Sequence, residues 1–225
     1  NNEIRDKIEK SAKKNTSNKY FFGKDFNIVK SENGFIHYQD QLGEFLLPEP
    51  NILGDHQLYN ISTSIAASRK IFNIKDDYIK NGIKNISLKA RLEEIKSGKL
   101  KDIAGNNKLV IDGGHNISAS LSIANWVKNQ NEEANLIVGM MKDKEHVEFI
   151  KAFENIVNSI TLIDIPNQDG AISKEDFKKK LDNSKLNLKL SNGIEESIKS
   201  LSKNENTIIL CVGSLYLAGE ILSLN

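Results

Sequence analysis

Leu109-Val110-Ile111-Asp112-Gly113-Gly114-His115-Asn116 changes character halfway along. Three branched or apolar residues read as a buried strand, and they deliver an acid, two glycines, a histidine and an amide onto a turn. Beyond the turn, Ile117, Leu121, Ala124 and Val127 recur at helical spacing. In an open α/β sheet, ligands bind outside the carboxyl ends of the strands, where such a turn sits. A carboxylate there can accept from ribose hydroxyls, and glycines let a ligand approach the backbone closely. The turn is therefore a candidate nucleotide site. Equally, Asp112 and Asn116 could serve only to shape the turn and cap the next helix, and the residues themselves leave both readings open.

The same rhythm extends outward from this stretch. Apolar runs recur at Leu109–Ile111, Leu136–Val138, Ile160–Ile163 and Ile208–Val212, each followed by a helical pattern expected to last roughly ten to fifteen residues. Continuous rather than alternating apolar strands imply burial on both faces. The expected fold is thus α/β, a mostly parallel sheet flanked by helices. Ser173-Lys174-Glu175-Asp176 reads as a helix start, with the serine as N-cap. Before Leu88 the signals are mixed. Asn2–Lys19 reads as a lysine-rich amphipathic helix, and Gly34–Gln39 and Phe45–Leu47 as short strands joined by a turn at Asp40–Gly43. Helices are expected over His56–Phe72, with Leu58, Ile61, Ile65 and Ala66 on one face, and over Asp76–Asn85. The boundary between the regions falls near Ser87–Ala90, dividing the chain into residues 1–87 and 88–225.

Composition excludes several function classes. The chain has 225 residues, enough for one large or two modest domains. A formal net charge of +1 gives no electrostatic case for nucleic acid or an anionic membrane as the main partner. No apolar run is long enough to span a bilayer, and no signal-peptide pattern opens the chain. A single cysteine, Cys211, excludes an intramolecular disulfide framework or a cysteine-rich zinc site. It lies inside Ile208-Ile209-Leu210-Cys211-Val212 and reads as packed core, as does Trp126. The expected compartment is reducing cytoplasm. The lysines at Lys13-Lys14 and Lys178–Lys180 read as solvated helix faces.

Five short motifs, in order from Gly54 to Gly219, resemble the folylpolyglutamate synthase/dihydrofolate synthase family, a branch of the Mur-type ADP-forming amide ligases. They are Gly54-Asp55-His56-Gln57-Leu58-Tyr59-Asn60 with the small residues Ala66-Ala67 downstream, Ala90-Arg91-Leu92-Glu93, Asp112-Gly113-Gly114-His115-Asn116, Gly139-Met140-Met141-Lys142-Asp143-Lys144 and Gly213-Ser214-Leu215-Tyr216-Leu217-Ala218-Gly219. The resemblance implies that a substrate carboxylate takes the γ-phosphoryl of ATP, that the glutamate amine attacks the acyl phosphate, and that phosphate leaves an amide behind. Such catalysis is mostly positioning and charge stabilisation. It also implies that residues 1–87 end a central ATP-binding P-loop domain and that 88–225 form a Mur-ligase-like C-terminal domain. No G-x-x-x-x-G-K-[ST] occurs in the sequence. The family's magnesium ligands belong to segments upstream of the matched motifs, so no metal ligand is assigned here. The chain is expected to be the C-terminal part of a longer enzyme, inactive by itself.

Carried over residue by residue, the resemblance makes Asn60 an adenine contact, Arg91 a phosphate contact and Asp112 a ribose ligand. A carboxamide suits a base edge, and a guanidinium matches phosphate oxygens. A carboxylate close to phosphates would repel them, so a ribose role is the more sensible one for Asp112. Asn60 could instead be a polar residue on a packing helix, Arg91 an ordinary surface arginine, and His56 and Gln57 simply the start of their helix. His115 matches a cleft-facing histidine important for activity; orienting glutamate, touching nucleotide and holding the turn all remain open. Lys144 and Ser214 are the candidates for holding glutamate, with Lys142 competing for the lysine role and Ser214 also placed to cap the last helix.

The expected partners are glutamate and a folate or dihydropteroate, with ATP and Mg2+, acting on a monomer. Two alternatives stand beside this: a Mur-type cell-wall ligase with a UDP-linked acceptor, and a non-catalytic nucleotide-binding module. The Gly213–Gly219 and Gly139–Lys144 stretches favour the folate branch.

Overall fold

The computed structural model describes residues 2–14, 18–30, 35–50, 52, 54, 56–181 and 186–225, with only the backbone given for Asn2 and His56. Gly34, Asp55 and the side chain of His56, which the sequence reading used, lie outside the described residues. The chain forms two compact units, one of Asn1–Asn51 with Asp55–Ser87, the other of Ile52–Gly54 with Leu88–Asn225.

The first unit contains α1 (Asn2–Lys14), β1 (Phe26–Lys30), β2 (Ile36–Asp40), β3 (Gly43–Leu47), α2 (His56–Phe72) and α3 (Asp76–Lys84). Its strands make an antiparallel meander in the order β1-β2-β3. β1 was not anticipated, because its Phe-Asn-Ile-Val-Lys run is short and half exposed. Asp40 pairs with Gly43 across a two-residue turn, and its Oδ1 accepts from Leu42 N at 2.8 Å. α2 packs on β1 through Ile61 and Ile65, both 3% exposed. Ala67 is exposed, and buried Ser62 and Arg69 line the helix instead. The Arg69 guanidinium, hemmed in on α2, pairs with Asp76 and lies 3.0 Å from Asp40, with Phe45 beneath it at 4.9 Å. Tyr38 OH donates to the same Asp40 at 3.0 Å. A buried cation needs such compensation on every side.

The second unit runs β4 (Glu93–Ile95), α4 (Lys99–Ala104), β5 (Lys108–Ile111), α5 (Ile117–Lys128), β6 (Ala134–Val138), α6 (His146–Lys151), β7 (Ser159–Leu162), α7 (Lys174–Lys180), β8 (Leu188–Leu190), α8 (Ile194–Leu201), β9 (Ile208–Val212) and α9 (Leu215–Leu224). Sheet order is β4-β5-β9-β6-β7-β8, parallel throughout except for the antiparallel edge strand β4. The fold is the α/β class expected from the apolar runs. Successive residues of each central strand face opposite sides. Val110, Leu136, Val138, Leu210 and Val212 pack with α5, α6 and α7; Leu109, Ile111, Ile137, Ile209 and Cys211 pack with α4, α8 and α9.

Some expectations shift. The helices after β6 and β7 are only six and seven residues long. On α5, Leu121 is 58% exposed and Ile123 takes its place in the core, so the buried stripe is displaced by part of a turn. Trp126 is partly buried against the core rather than inside it. Among the described residues no helix is long and apolar enough to cross a membrane.

Cys211 is fully enclosed, and burial pushes its thiol up to about 12. The thiolate is the reactive species. Ellman's reagent at mildly alkaline pH should therefore leave the native protein unlabelled and label one thiol after denaturation. Rapid native labelling would mean that β9 opens readily.

Candidate functional site

The C-terminal ends of β5, β9 and β6 meet at the place where the chain leaves for opposite faces of the sheet. After β5 and β6 it turns to α5 and α6 on one side; after β9 it turns to α9 on the other. A crevice opens at such a reversal. The loops around it are stitched together by backbone bonds: Gly113 N to Ala90 O at 2.9 Å, Gly213 N to Gly114 O at 3.0 Å, and Gly139 N to Val212 O at 3.3 Å. Arg91, Asp112, His115, Ser214 and Lys144 thus all stand at one end of one sheet. Asn60 belongs to the other unit, exposed on α2 with its amide donating to Gln57 at 3.0 Å.

Asp112 is 4% exposed. Its Oδ1 accepts from Gly114 N at 2.6 Å and its Oδ2 from Leu92 N at 2.8 Å. Asn116 is the N-cap of α5, accepting from Ala119 N at 2.9 Å. The capping and turn-shaping chemistry is present; each carboxylate oxygen carries two lone pairs, so the two backbone bonds do not by themselves exhaust Asp112. His115 is half-buried, its Nδ1 3.0 Å from the Gly113 carbonyl. A carbonyl only accepts, so Nδ1 carries the proton and, in the neutral ring, Nε2 is left as an acceptor.

Two glycines are dictated by the geometry. Gly213 has φ +106°, and a Cβ there would lie 2.7 Å from the Gly139 carbonyl oxygen. At Gly113 a Cβ would meet Leu215 at 2.2 Å and the Arg91 guanidinium at 3.2 Å. Ser214, 3% exposed, caps α9 by accepting from Tyr216 N at 3.1 Å. Lys144 donates to the exposed Asp143 at 2.7 Å, and that bond, with His115 also nearby, holds the Asp143 carboxyl below the ordinary range. Lys142 is turned away, donating to the Asp169 carbonyl at 2.8 Å. The crevice therefore gathers cationic side chains and the amino end of a ten-residue helix, an arrangement that attracts anions. Among the described residues no group of three or more His, Cys, Asp or Glu could hold a metal ion.

The sequence reading missed His146, which is 3% exposed. Its Nε2 donates to Met141 O at 3.0 Å, pinning the turn that carries Lys144, while Nδ1 accepts from Lys180 Nζ at 3.3 Å. Its ring stands edge-on to Phe177, with centroids 5.0 Å apart. Lys180 is thus more than a solvated lysine. Burial first, and the Lys180 charge second, pull the imidazole below its usual value. No local sequence signal marks it, because Lys180 and Phe177, which set its proton and its ring, come from α7.

Comparison with known proteins places this geometry in a wider set. Residues 96–224 match the family model described as dihydrofolate synthetase, C-terminal domain. A protein of Schizosaccharomyces pombe described as a probable dihydrofolate synthetase is 22% identical over 219 residues, covering 87% of this chain and 50% of that one. The folylpolyglutamate synthase of Mycobacterium tuberculosis, solved with ADP and AMPPCP, superposes with a TM-score of 0.82 at 16% identity, over 98% of this chain and 52% of its own. A bifunctional folylpolyglutamate synthase/dihydrofolate synthase solved with Mn, AMPPNP and L-glutamate gives 0.77 at 18%, over 96% and 50%. The chain spans about half the length of these relatives.

Two outcomes follow from the site's construction. Gly213→Ala should lower unfolding free energy by about 1–3 kcal/mol in denaturant melts; an unchanged midpoint would show that the Gly139 and Gly213 loops can separate freely. For His146, a folded-state pKa below the unfolded one means that the unfolded chain takes the proton first. The stability given by the neutral ring is intact above the unfolded value of about 6.5 and declines as pH falls below it. Urea midpoints taken from about pH 7.5 down to 5 should drop more steeply for the native protein than for His146→Gln; parallel curves would exclude this role.

Proposed function

Since the chain belongs to the dihydrofolate synthetase C-terminal domain family, we propose that it is the C-terminal part of an ATP-dependent ligase joining glutamate to a folate or dihydropteroate carboxylate. The observation that carries this reading is the convergence of Arg91, His115, Lys144 and the Ser214-capped helix on one strand-end crevice, in a chain with that family match. On this proposal the first unit belongs to the central ATP-binding domain and the second to the C-terminal domain.

The chemistry assigns a task to each residue. Arg91, half-buried and permanently charged, contacts the nucleotide's phosphates, where its planar fork matches the oxygens. Asp112 accepts from the ribose, and Asn60 reads the adenine edge with its carboxamide. Lys144 and the donors around Ser214 hold the two carboxylates of glutamate. The glutamate amine must shed protons to attack the acyl phosphate. On this proposal His115 takes one on Nε2, which the Nδ1 bond to Gly113 keeps as an acceptor. Mg2+ accompanies ATP in this proposal; no group of three or more His, Cys, Asp or Glu among the described residues could hold it, and no step here is assigned to it. The relatives' ligands, ADP, AMPPNP and L-glutamate, support the substrate classes. The same reading expects a monomer working in the cytoplasm.

The test uses the full-length reading frame with ATP, Mg2+, glutamate and either dihydropteroate or a reduced folate, following phosphate release and product mass together. The expected product is heavier by one glutamyl residue. Arg91→Ala should lower kcat/KM for ATP about 10- to 100-fold, as expected for losing a charge-assisted bond. Product only with a UDP-linked acceptor would transfer the assignment to a cell-wall ligase. ATP left intact with every acceptor would make the chain a non-catalytic nucleotide-binding module.

A further inference from the structure

The segment Ala90-Arg91-Leu92-Glu93 adopts a backbone that its residues do not choose unaided. Ala90 has φ +54° and Leu92 has φ +45°, the left-handed region that an L side chain populates rarely and at a cost. Both are buried, Ala90 at 5% and Leu92 at 1%, and they pack on opposite faces of the sheet. Arg91 is left between them at the strand-end edge. Such a conformation persists only where the surroundings over-determine it. Here each left-handed residue gives its backbone N–H to a carboxylate: Leu92 N donates to Asp112 Oδ2 and Ala90 N to Glu93 Oε2, each at 2.8 Å.

The Ala90 peptide is the node of this arrangement. Its N–H is held by Glu93. Its carbonyl accepts from Gly113 N at 2.9 Å and from the Arg91 guanidinium, through Nη1, at 3.0 Å. Held at both ends, it aims its oxygen at the guanidinium and sets where that group lies beside Gly113. Glu93 is fixed in turn as the first residue of β4, directly across from Ile111. Its side chain is 18% exposed, while Lys89, on its other oxygen at 2.7 Å, is 72% exposed. That ion pair contributes little; the bond to Ala90 N is the one that shapes the loop.

We propose that Glu93 is a positioning residue for Arg91, holding the Ala90 peptide so that the guanidinium is presented to an anionic ligand at the strand ends. This rests on the reading of Arg91 as a phosphate contact.

The decisive experiment is a double-mutant cycle on nucleotide affinity in the full-length enzyme. Glu93→Ala should weaken nucleotide binding roughly three- to tenfold, the size of one lost hydrogen bond. Glu93→Gln, which keeps an acceptor oxygen, should restore it to within about twofold. In an Arg91→Ala background, Glu93→Ala should add less than about a twofold effect, because coupled residues are not additive. Full additivity, or lost thermal stability with unaltered affinity, would overturn the proposal. The order of the Arg91 Nε–Hε group, read by 15N relaxation, separates the two ideas. If Arg91→Ala leaves affinity unchanged, the phosphate assignment fails. Disorder of that signal in Glu93→Ala, recovered in Glu93→Gln, would still support the positioning; an unperturbed signal would reject it.

Discussion

Two-sided burial of the central strands constrains everything else in the second unit. β5, β9, β6 and β7 are enclosed by helices on both faces, so a polar side chain within them would have to find its partners inside the protein. Polar groups are therefore pushed to the strand ends, and the two ends are treated differently. At the amino ends, Asn107 accepts from the backbone and hydroxyl of Thr207 and donates to Ala104, while Ser159 donates to Asn135. These arrangements are buried, and only the Asn135 Nδ2 among them lacks a hydrogen-bond partner. At the carboxyl ends, Arg91, His115 and Lys144 stay partly open to solvent. Chemistry is available only where burial relents.

The same constraint explains which elements were legible. Leu109–Ile111, Leu136–Val138 and Ile208–Val212 show as unbroken apolar runs, and Ile160–Ile163 as one interrupted only by Thr161, because each has neighbours above, below and to both sides. β4, reading Glu-Glu-Ile, and β8, reading Leu-Lys-Leu, escape notice. They are three-residue edge strands with one paired side, and their sequence is free to be polar. The displaced stripe on α5 has a related cause. Leu121 and Ile123 suit a helical face about equally by spacing, and only the sheet beneath decides between them.

Within the crevice, residue types were readable but partners were not. The acid, glycines and histidine after β5 announce a functional turn, yet nothing local shows that Asp112 reaches back to Leu92. His146 is the extreme case. It looks like any residue at a helix start until Lys180 and Phe177 arrive from α7 to set its proton and its ring. Long-range pairings of this kind are a property of the fold, and local spacing carries no trace of them.

The position of β9 has a consequence for how the unit is assembled. It is the last strand in sequence, but it lies in the middle of the sheet, hydrogen-bonded to β5 on one side and β6 on the other. Until Ile208–Val212 emerge during synthesis, β5 and β6 each present an apolar edge with nothing beside it, the kind of edge that recruits other chains. Closure also demands contacts about a hundred residues apart, as between Asn107 and Thr207, and such high contact order slows folding. The nascent unit is thus a pair of half-sheets waiting for a keystone strand, and its exposure to aggregation or to chaperones is greatest just before that strand is inserted.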